Sequence, residues 1–382
     1  MHMFKFCCIF AADCESDTIK PDMRQTKRVL LLAVLAVAAA WSAQAQEWDC
    51  PERKDGDIIR VCGQNLLNYY YNYTQTSRPK YKDDAGLAQK THRIVDGLLC
   101  VDADVYAFCE LEAAPIILEQ LVDSMNKAVG EPGLYAAVGD YINYTPNDYD
   151  NHLKSGFVYR TDRIETVGAN SAATSVTYYK DVMRIQAFKS KTNGGKFVLS
   201  MNHFKAKDSS SDQGNSARVR NAGYLTNALR NVSADKDILI LGDLNCTVDE
   251  EPMKKILSAG YEEQLLRYDE EAFSYCYNRH GQLIDHALAN ASMSKQVIDA
   301  QVVHICTTGC GWSNLSHSYS DHDPYFVDLC LTESKNCLTA EGTEDIQEDD
   351  IQSTKVLRDG QLYILLPDGR MFDVMGRPAR LR

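Results

Sequence analysis

Along this chain, apolar β-branched runs end repeatedly on a side chain that carries a carboxylate, an amide or an imidazole. The places are Asn65 in RVCGQNLLNYY, Glu110 closing DVYAFCE, His203 in FVLSMNHFKAK, and Asp243 with Asn245 in DILILGDLN. A fifth is split between Asp285-His286 in GQLIDHALA and Asp321-His322 in YSDHDPYF. A continuous apolar run reads as a strand buried on both faces, and open α/β sheets place their ligand sites at the ends of such strands. Runs at residues 58–66, 104–109, 156–159, 197–202 and 237–241 are therefore predicted strands, and helical spacing over residues 86–99 and 116–129 predicts helices. Residues 46–337 have the length of one large α/β domain and show no internal repeat.

The segment before that domain reads as an export leader. Arg24, Lys27 and Arg28 precede an apolar run over residues 29–41, and Ala43-Gln44-Ala45 supplies a small-residue cut after Ala45. The run is shorter than the roughly 20 residues that span a bilayer, so a secreted or periplasmic protein without stable membrane association is expected. On this reading residues 23–45 are the signal peptide and residues 1–22 an over-extended reading frame. Loss of both removes Cys7, Cys8 and Cys14 and leaves ten cysteines, enough for up to five disulfides in an oxidising compartment. The close pairs Cys306/Cys310 and Cys330/Cys337 are the simplest partners, and no Cys/His cluster has zinc spacing. The net charge of −13 becomes −14, because the lost segment carries five Lys/Arg and four Asp/Glu. So acidic a chain lacks the general basic field of a histone-like or transcription-factor protein. An enzyme whose cations meet the phosphate locally remains compatible.

Beyond residue 337 the run TAEGTEDIQEDDIQST is acidic and nearly free of aromatic residues, which reads as a linker over residues 338–354. Residues 355–382 hold two β-like runs around Pro367-Asp368-Gly369, the pattern of a hairpin. The segment resembles the C-terminal sorting tails of some secreted Gram-negative proteins; a hairpin packed on the domain is the other reading.

Taken singly, each polar strand end has an ordinary role: Asn and Gly-Asp as turn formers, His as a structural hydrogen-bond partner. Taken together they form an oxygen-rich set suited to a hard cation, with imidazoles at hand. In this order the motifs resemble the endonuclease/exonuclease/phosphatase superfamily, which includes deoxyribonuclease I, with GDLN followed by SDHDP the most characteristic pairing. More narrowly, NHFKAKDSSSDQGNSARVRNAGYL and LIDHALANASM are similar to the nuclease domain of large extracellular bacterial nucleases. The resemblance covers roughly residues 58–331 and implies a four-layer sandwich of two mixed β-sheets flanked by helices, with the site at one edge.

The same resemblance implies roles. Asn65, Glu110 and Asp321 would hold or surround Mg²⁺, with Mn²⁺ or Ca²⁺ as alternatives. Asp243 and Asn245 would position water and phosphate, and His203 would donate to a phosphate oxygen. His322 would be the general acid or base, oriented by Asp285. Arg160, at the end of SGFVYR, and Lys205 and Lys207 would contact substrate phosphates, whereas an arginine past a strand and lysines in a loop are also ordinary surface residues. His286 reads as structural. Two departures from the family concern Cys109, where glutamine usually precedes the glutamate and a disulfide or simple burial are the options, and Cys246, directly after GDLN, where a disulfide would stiffen a loop beside the site. The tyrosines at residues 69–73 offer stacking faces for bases or, as the blander reading, cover the sheet edge. A nuclease on DNA or RNA is the leading expectation, with sphingomyelin or inositol phosphates as alternative substrates and a catalytically silent binding module as the alternative from another class.

Overall fold

The computed structural model describes residues 48–54, 56–139, 153–176, 182–307, 310 and 318–331, together with short strands at 354–358, 361–365, 371–373 and 378–379. The expected leader and the acidic linker up to residue 353 lie outside the described residues. The unit Asp49–Arg382 is built around two six-stranded sheets. The first runs β13 (Val297–Val302), β14 (Tyr325–Leu329), β1 (Ile59–Tyr69), β2 (Val105–Glu112), β4 (Leu153–Arg160) and β3 (Tyr135–Ala137). The second runs β5 (Ile164–Ala172), β6 (Met183–Ser190), β7 (Lys196–His203), β8 (Ile238–Asp243), β12 (Asp285–Asn290) and β9 (Tyr261–Glu263). The short strands β10 (Tyr275–Tyr277) and β11 (His280–Gln282) pair with each other as a hairpin. In each large sheet one central pair, β1–β2 or β7–β8, is parallel and the other neighbours are antiparallel, so both sheets are mixed.

Period-two alternation explains the layers. Leu239 and Leu241 of β8 point into the core between the sheets, beside Leu199 and Met201 of β7 and Val61, Val105 and Phe157 from the other sheet. Phe157 and Phe188 meet there edge to face at 5.8 Å. Ile238 and Ile240 point outward, against Leu225 and Leu229 of α3 (Asn215–Arg230) and Met253 and Ile256 of α4 (Glu251–Ser258). On the first sheet, α2 (Ile116–Val129) lays Leu118 over Gly156, where a Cβ would collide with the leucine methyl. The helix α1 (Asp84–Val101) is tied to β1 by Tyr69 and Thr91, whose hydroxyls lie 2.8 Å apart. Burying one such aliphatic side chain contributes roughly 1.5–3 kcal/mol, which is why strands covered on both faces read as unbroken apolar runs. The fold is thus the expected sandwich of two mixed sheets flanked by helices.

Some details differ from the sequence reading, and others decide between its alternatives. Cys310 pairs with Cys276, 34 residues away, and Cys306 is free and buried, so proximity in sequence misled the pairing. A second disulfide joins Cys50 to Cys100, and Cys330 is disulfide-bonded, while Cys337 lies outside the described residues. Cys109 and Cys246 are free and buried. Tyr69 and Tyr70 are core residues, not stacking platforms. In the C-terminal segment the strands β15 (Thr354–Arg358), β16 (Gln361–Leu365), β17 (Met371–Asp373) and β18 (Pro378–Ala379) pair in order as a four-stranded antiparallel sheet.

Candidate active site

The parallel pairs in the two sheets end at the same edge, and there the polar strand ends meet. Two bulges aim the first carboxylate. The β1–β2 register shifts between Asn65 and Tyr69, with Leu67 and Asn68 in left-handed backbone (φ 48° and 51°). The β2–β4 register shifts between Phe108 and Leu111, with Glu110 at φ 58°. Left-handed backbone costs a non-glycine residue roughly 1–2 kcal/mol, and bulges recur where a side chain must be re-aimed beside a site. Here they let Asn65 Nδ2 donate to Glu110 Oε1 at 3.0 Å and the Asn68 amide to Glu110 Oε2 at 2.9 Å.

Asp243 closes β8. Its predecessor Gly242 has φ 153°, and any Cβ there would overlap the carbonyl of Asn202 on β7, so glycine is required for the two strands to approach. The Gly242 amide donates to the hydroxyl of Tyr325 across the sandwich at 2.8 Å. Asp243 Oδ2 accepts from Asn65 Nδ2 at 3.1 Å and Oδ1 accepts from the Asn245 amide at 3.0 Å. Asn245 itself is left-handed (φ 52°) and turns its side-chain amide to the carbonyl of Phe204. His203, directly paired with Asp243 in the β7–β8 register, places Nε2 3.8 Å from Glu110 Oε1 and 3.7 Å from Asp243 Oδ2.

His322 arrives from the loop before β14. Its Nδ1 donates to Asp285 Oδ2 at 2.6 Å, and its Nε2 lies 3.8 Å from Asp243 Oδ2. A carboxylate only accepts, so the Asp285 contact fixes the proton on Nδ1 and turns Nε2 toward the cleft. Ser274 orients Asp285: its hydroxyl donates to Oδ2 at 2.7 Å and accepts from the Asp285 amide at 3.1 Å. Gln64 donates to the His322 carbonyl at 3.0 Å, and the Tyr275 ring lies 4.8 Å from the imidazole. Asp323, fully buried, accepts from the Cys306 and Thr307 amides and from His304, which shapes the loop carrying the histidine.

The two nearby carboxyl groups are driven apart. Burial pushes the Glu110 carboxyl up, but His203, the Asn65 hydrogen bond, His322 and the Asn68 amide outweigh it and hold it below the ordinary value. Burial dominates at Asp243 and, with Asp285 and Glu110 adding to it against the pull of His322 and His203, raises it to about 6. At His322 burial favours the neutral ring, yet Asp285 and Asp243 together overcome it and lift the imidazole well above its usual range. Environments that separate neighbouring titratable groups in this way are characteristic of acid–base sites.

Donor atoms of Glu110, His203 and Asp243 lie within 4.8 Å of one another, as do those of Asp243, Asp285 and His322. Two anionic oxygens around one gap, with an imidazole beside them, fit a hard divalent cation, and Asn65 braces both carboxylates with its Nδ2 while its Oδ1 accepts from the Leu67 amide. Asp321 is half-buried; its Oδ1 stands 4.0 Å from His322 Nε2, outside the converging donors. Lys205 pairs with Asp208 at 3.4 Å and Lys207 with Glu250 at 2.7 Å, so neither ammonium enters the cluster. Arg160 requires correction. Because β4 runs antiparallel to β2, its last residue lies at the opposite end of the sheet from Glu110, where Arg160 forks onto Asp162 at 2.8 and 3.1 Å. His286 is buried against the carbonyl of Cys246 at 2.9 Å, a structural position. Ser274, Gln64 and Lys90 escaped the sequence reading; the Lys90 ammonium, pushed down to about 7 by burial, donates to the carbonyl of Leu67 at 2.5 Å and so ties α1 to the first bulge.

Residues 81–322 match the Endonuclease/Exonuclease/phosphatase family, well over half of the chain. The chain belongs to that family. Membership makes it a hydrolase of phosphoester bonds, and Asn65 lies just ahead of the matched stretch. Its fold is similar to that of an endonuclease/exonuclease/phosphatase family protein from Bacteroides thetaiotaomicron, at 17% identity and TM-score 0.50 over 72% of this chain and 98% of that one. A mannosyl-6-phosphatase from the same organism gives 17% identity and TM-score 0.50, over 72% of this chain and all of that one. The human Nocturnin catalytic domain, with a bound sulfate, gives 16% and 0.50 over 73% and 97%. At these identities the likeness is one of fold. No curated protein matches the chain. Among the described residues no helix is long and apolar enough to cross a membrane, and the disulfides suit an oxidising compartment.

Proposed function

We propose that this family member is an exported, Mg²⁺-dependent phosphodiesterase that hydrolyses nucleic-acid phosphodiester bonds. The observation that carries the reading is the meeting of Glu110, Asp243 and His203 with the Asp285–His322 pair at one sheet edge, on segments far apart in the chain. Hydrolysis of a phosphodiester needs a proton acceptor for water and fixed positive groups around one phosphorus. In this reading Glu110 holds the cation while Asn65, donating to the Glu110 and Asp243 carboxylates, keeps them in place around it, with Asp321 at its outer side, and the cation would neutralise charge on the phosphate oxygens. Asp243 and Asn245 orient the attacking water. The Nε2 atom of His322 exchanges the proton while Asp285, itself held by Ser274, keeps the ring in one tautomer. His203 donates to a phosphate oxygen from the far side of Asp243. The preference for nucleic acid over other phosphoesters is supported by the similarity of NHFKAKDSSSDQGNSARVRNAGYL and LIDHALANASM to extracellular nuclease domains.

The test is a substrate panel: plasmid DNA, RNA, sphingomyelin, an inositol phosphate and a sugar phosphomonoester, each with Mg²⁺ and with chelator. Cleavage of DNA or RNA that stops with chelator supports the proposal. Turnover confined to the lipid or the monoesters overturns it.

A further inference from the structure

Several cations near the candidate site and on the strands are held by carboxylates. Lys205, Lys207, Lys189 and Arg160 each face a carboxylate at 2.6–3.4 Å. Lys80 and Arg93 are different. Neither has an ion-pair or hydrogen-bond partner among the described residues. Both line one cleft of about 330 Å³, between the start of α1 and the segment leading to His322, a volume within the range of small-ligand pockets.

Lys90 lies on the same wall, one helical turn before Arg93, so the two side chains share a face of α1. Its ammonium donates to Leu67, another lining residue, and sits 5.9 Å over the ring of Tyr81. Asp321 forms the opposite rim and stands next to the His322 imidazole. The cleft therefore opens beside the catalytic group, and three basic side chains face one acidic one in it. Unpaired cations gathered in a concave site, in a chain of net charge −13, have their counterion on the ligand.

We propose that this cleft is an anion subsite that takes a second phosphate of the substrate, distinct from the one being hydrolysed. The inference rests on the phosphodiesterase reading for its placement, since it assigns the scissile phosphate to the Glu110–His322 centre. Lys80 and Arg93 meet the second phosphate directly, while Lys90 sets the wall. The same chemistry is presented by a flanking diester in a polynucleotide and by a terminal monoester on a short one, and the two differ in what length of substrate benefits.

The experiment uses the full mature chain and the double variant Lys80→Ala/Arg93→Ala, neither residue belonging to the catalytic machinery. Four readouts are compared: bis(4-nitrophenyl) phosphate, which carries one phosphate; a dinucleotide with and without a 5′-phosphate; an eight-nucleotide single strand; and the melting shift caused by inorganic phosphate in chelator. The double variant should raise KM for the octanucleotide about tenfold or more, as removal of charged hydrogen bonds implies, and leave kcat/KM for bis(4-nitrophenyl) phosphate unchanged. Its log KM against log salt should flatten by about 0.7 for each single-strand phosphate that the cleft no longer neutralises. An effect already present with the 5′-phosphorylated dinucleotide assigns the cleft to a terminal monoester; one confined to the octanucleotide assigns it to a flanking diester. Equal losses on all substrates, or no loss on any together with an undiminished phosphate-induced melting shift, overturn the subsite. A parent chain that shows the phosphate shift, abolished in the variant, but cleaves no nucleic acid retains the subsite and removes the nuclease reading.

Discussion

Opposite ends of the β1–β2 pair treat buried charge in opposite ways. At the amino end, Arg60 forks onto Asp328 at 2.8 and 2.9 Å and stacks on Phe326, while Asp104 meets Arg53 and Arg163 at 2.5 and 2.7 Å. At the carboxyl end, Glu110, Asp243 and Asp285 meet imidazoles, amides and a hydroxyl, and Asp285 Oδ1 is buried without a hydrogen-bond partner among the described residues. One end is neutralised by the fold itself. The other is left short of positive charge, with left-handed backbone at Glu110 and Asn245. The difference teaches where stability and chemistry are held: charge balanced internally locks an edge, whereas charge left over is available to a cation and a phosphate.

The comparison can be broken most directly at His322. His322→Ala should lower kcat on the preferred substrate by about 10²- to 10⁴-fold; a loss below tenfold would detach the dyad from catalysis. Asp328→Ala, at the other end, should cost about 3–5 kcal/mol in denaturant unfolding because Arg60 is left buried and unpaired. Its activity in the folded state should stay near that of the parent, and an activity loss without unfolding would undo the division between the ends. A divalent cation at about 100 times its Kd should then stabilise the parent by roughly 2.7 kcal/mol. Glu110→Ala should abolish that gain, whereas a gain that survives places the cation elsewhere.

A fourth test uses pH. Asp243, raised to about 6, holds its proton more tightly folded than unfolded, so its contribution to stability falls as pH climbs from about 4 to about 6 and is level above. In chelator, the parent should therefore lose on the order of 1–3 kcal/mol relative to Asp243→Asn across that window. A parent that gains relative to the variant reverses the sign and the reading of Asp243. The smallest effect is expected at Ser274→Ala: roughly tenfold in kcat, the worth of one hydrogen bond, with a displaced acidic limb in the pH profile. An unshifted profile would make Ser274 merely structural.

The sandwich was legible because burial on both faces leaves an apolar run that few other environments demand; β2, β7 and β8 were all placed to within three residues at each end. The edge strand β5 was missed, since its mostly part-exposed residues carry no apolar signature, and so was α3, which buries Arg218 and Asn221 in place of a clean hydrophobic stripe. At the site, Glu110, His203 and Asp243 stood out as polar groups ending apolar runs, and His322 through the SDHDP motif ahead of β14. Arg160 ended a run too, but sequence does not reveal which way a strand points, and β4 points away. Ser274 and Lys90 act through contacts made only after folding, a hydroxyl under Asp285 and an ammonium on a bulge carbonyl. No local pattern marks either.

The order of strands in the first sheet also governs how the chain matures. β1, early in the chain, lies between β2 and β14, and Ile59 faces Leu329 across that ladder. A ribosome must release nearly the whole domain before one flank of its first strand can be covered, and His322 is seated by the same late arrival. Until then the polypeptide offers a bare hydrogen-bonding edge and no working centre, a state exposed to mispairing if it lingers.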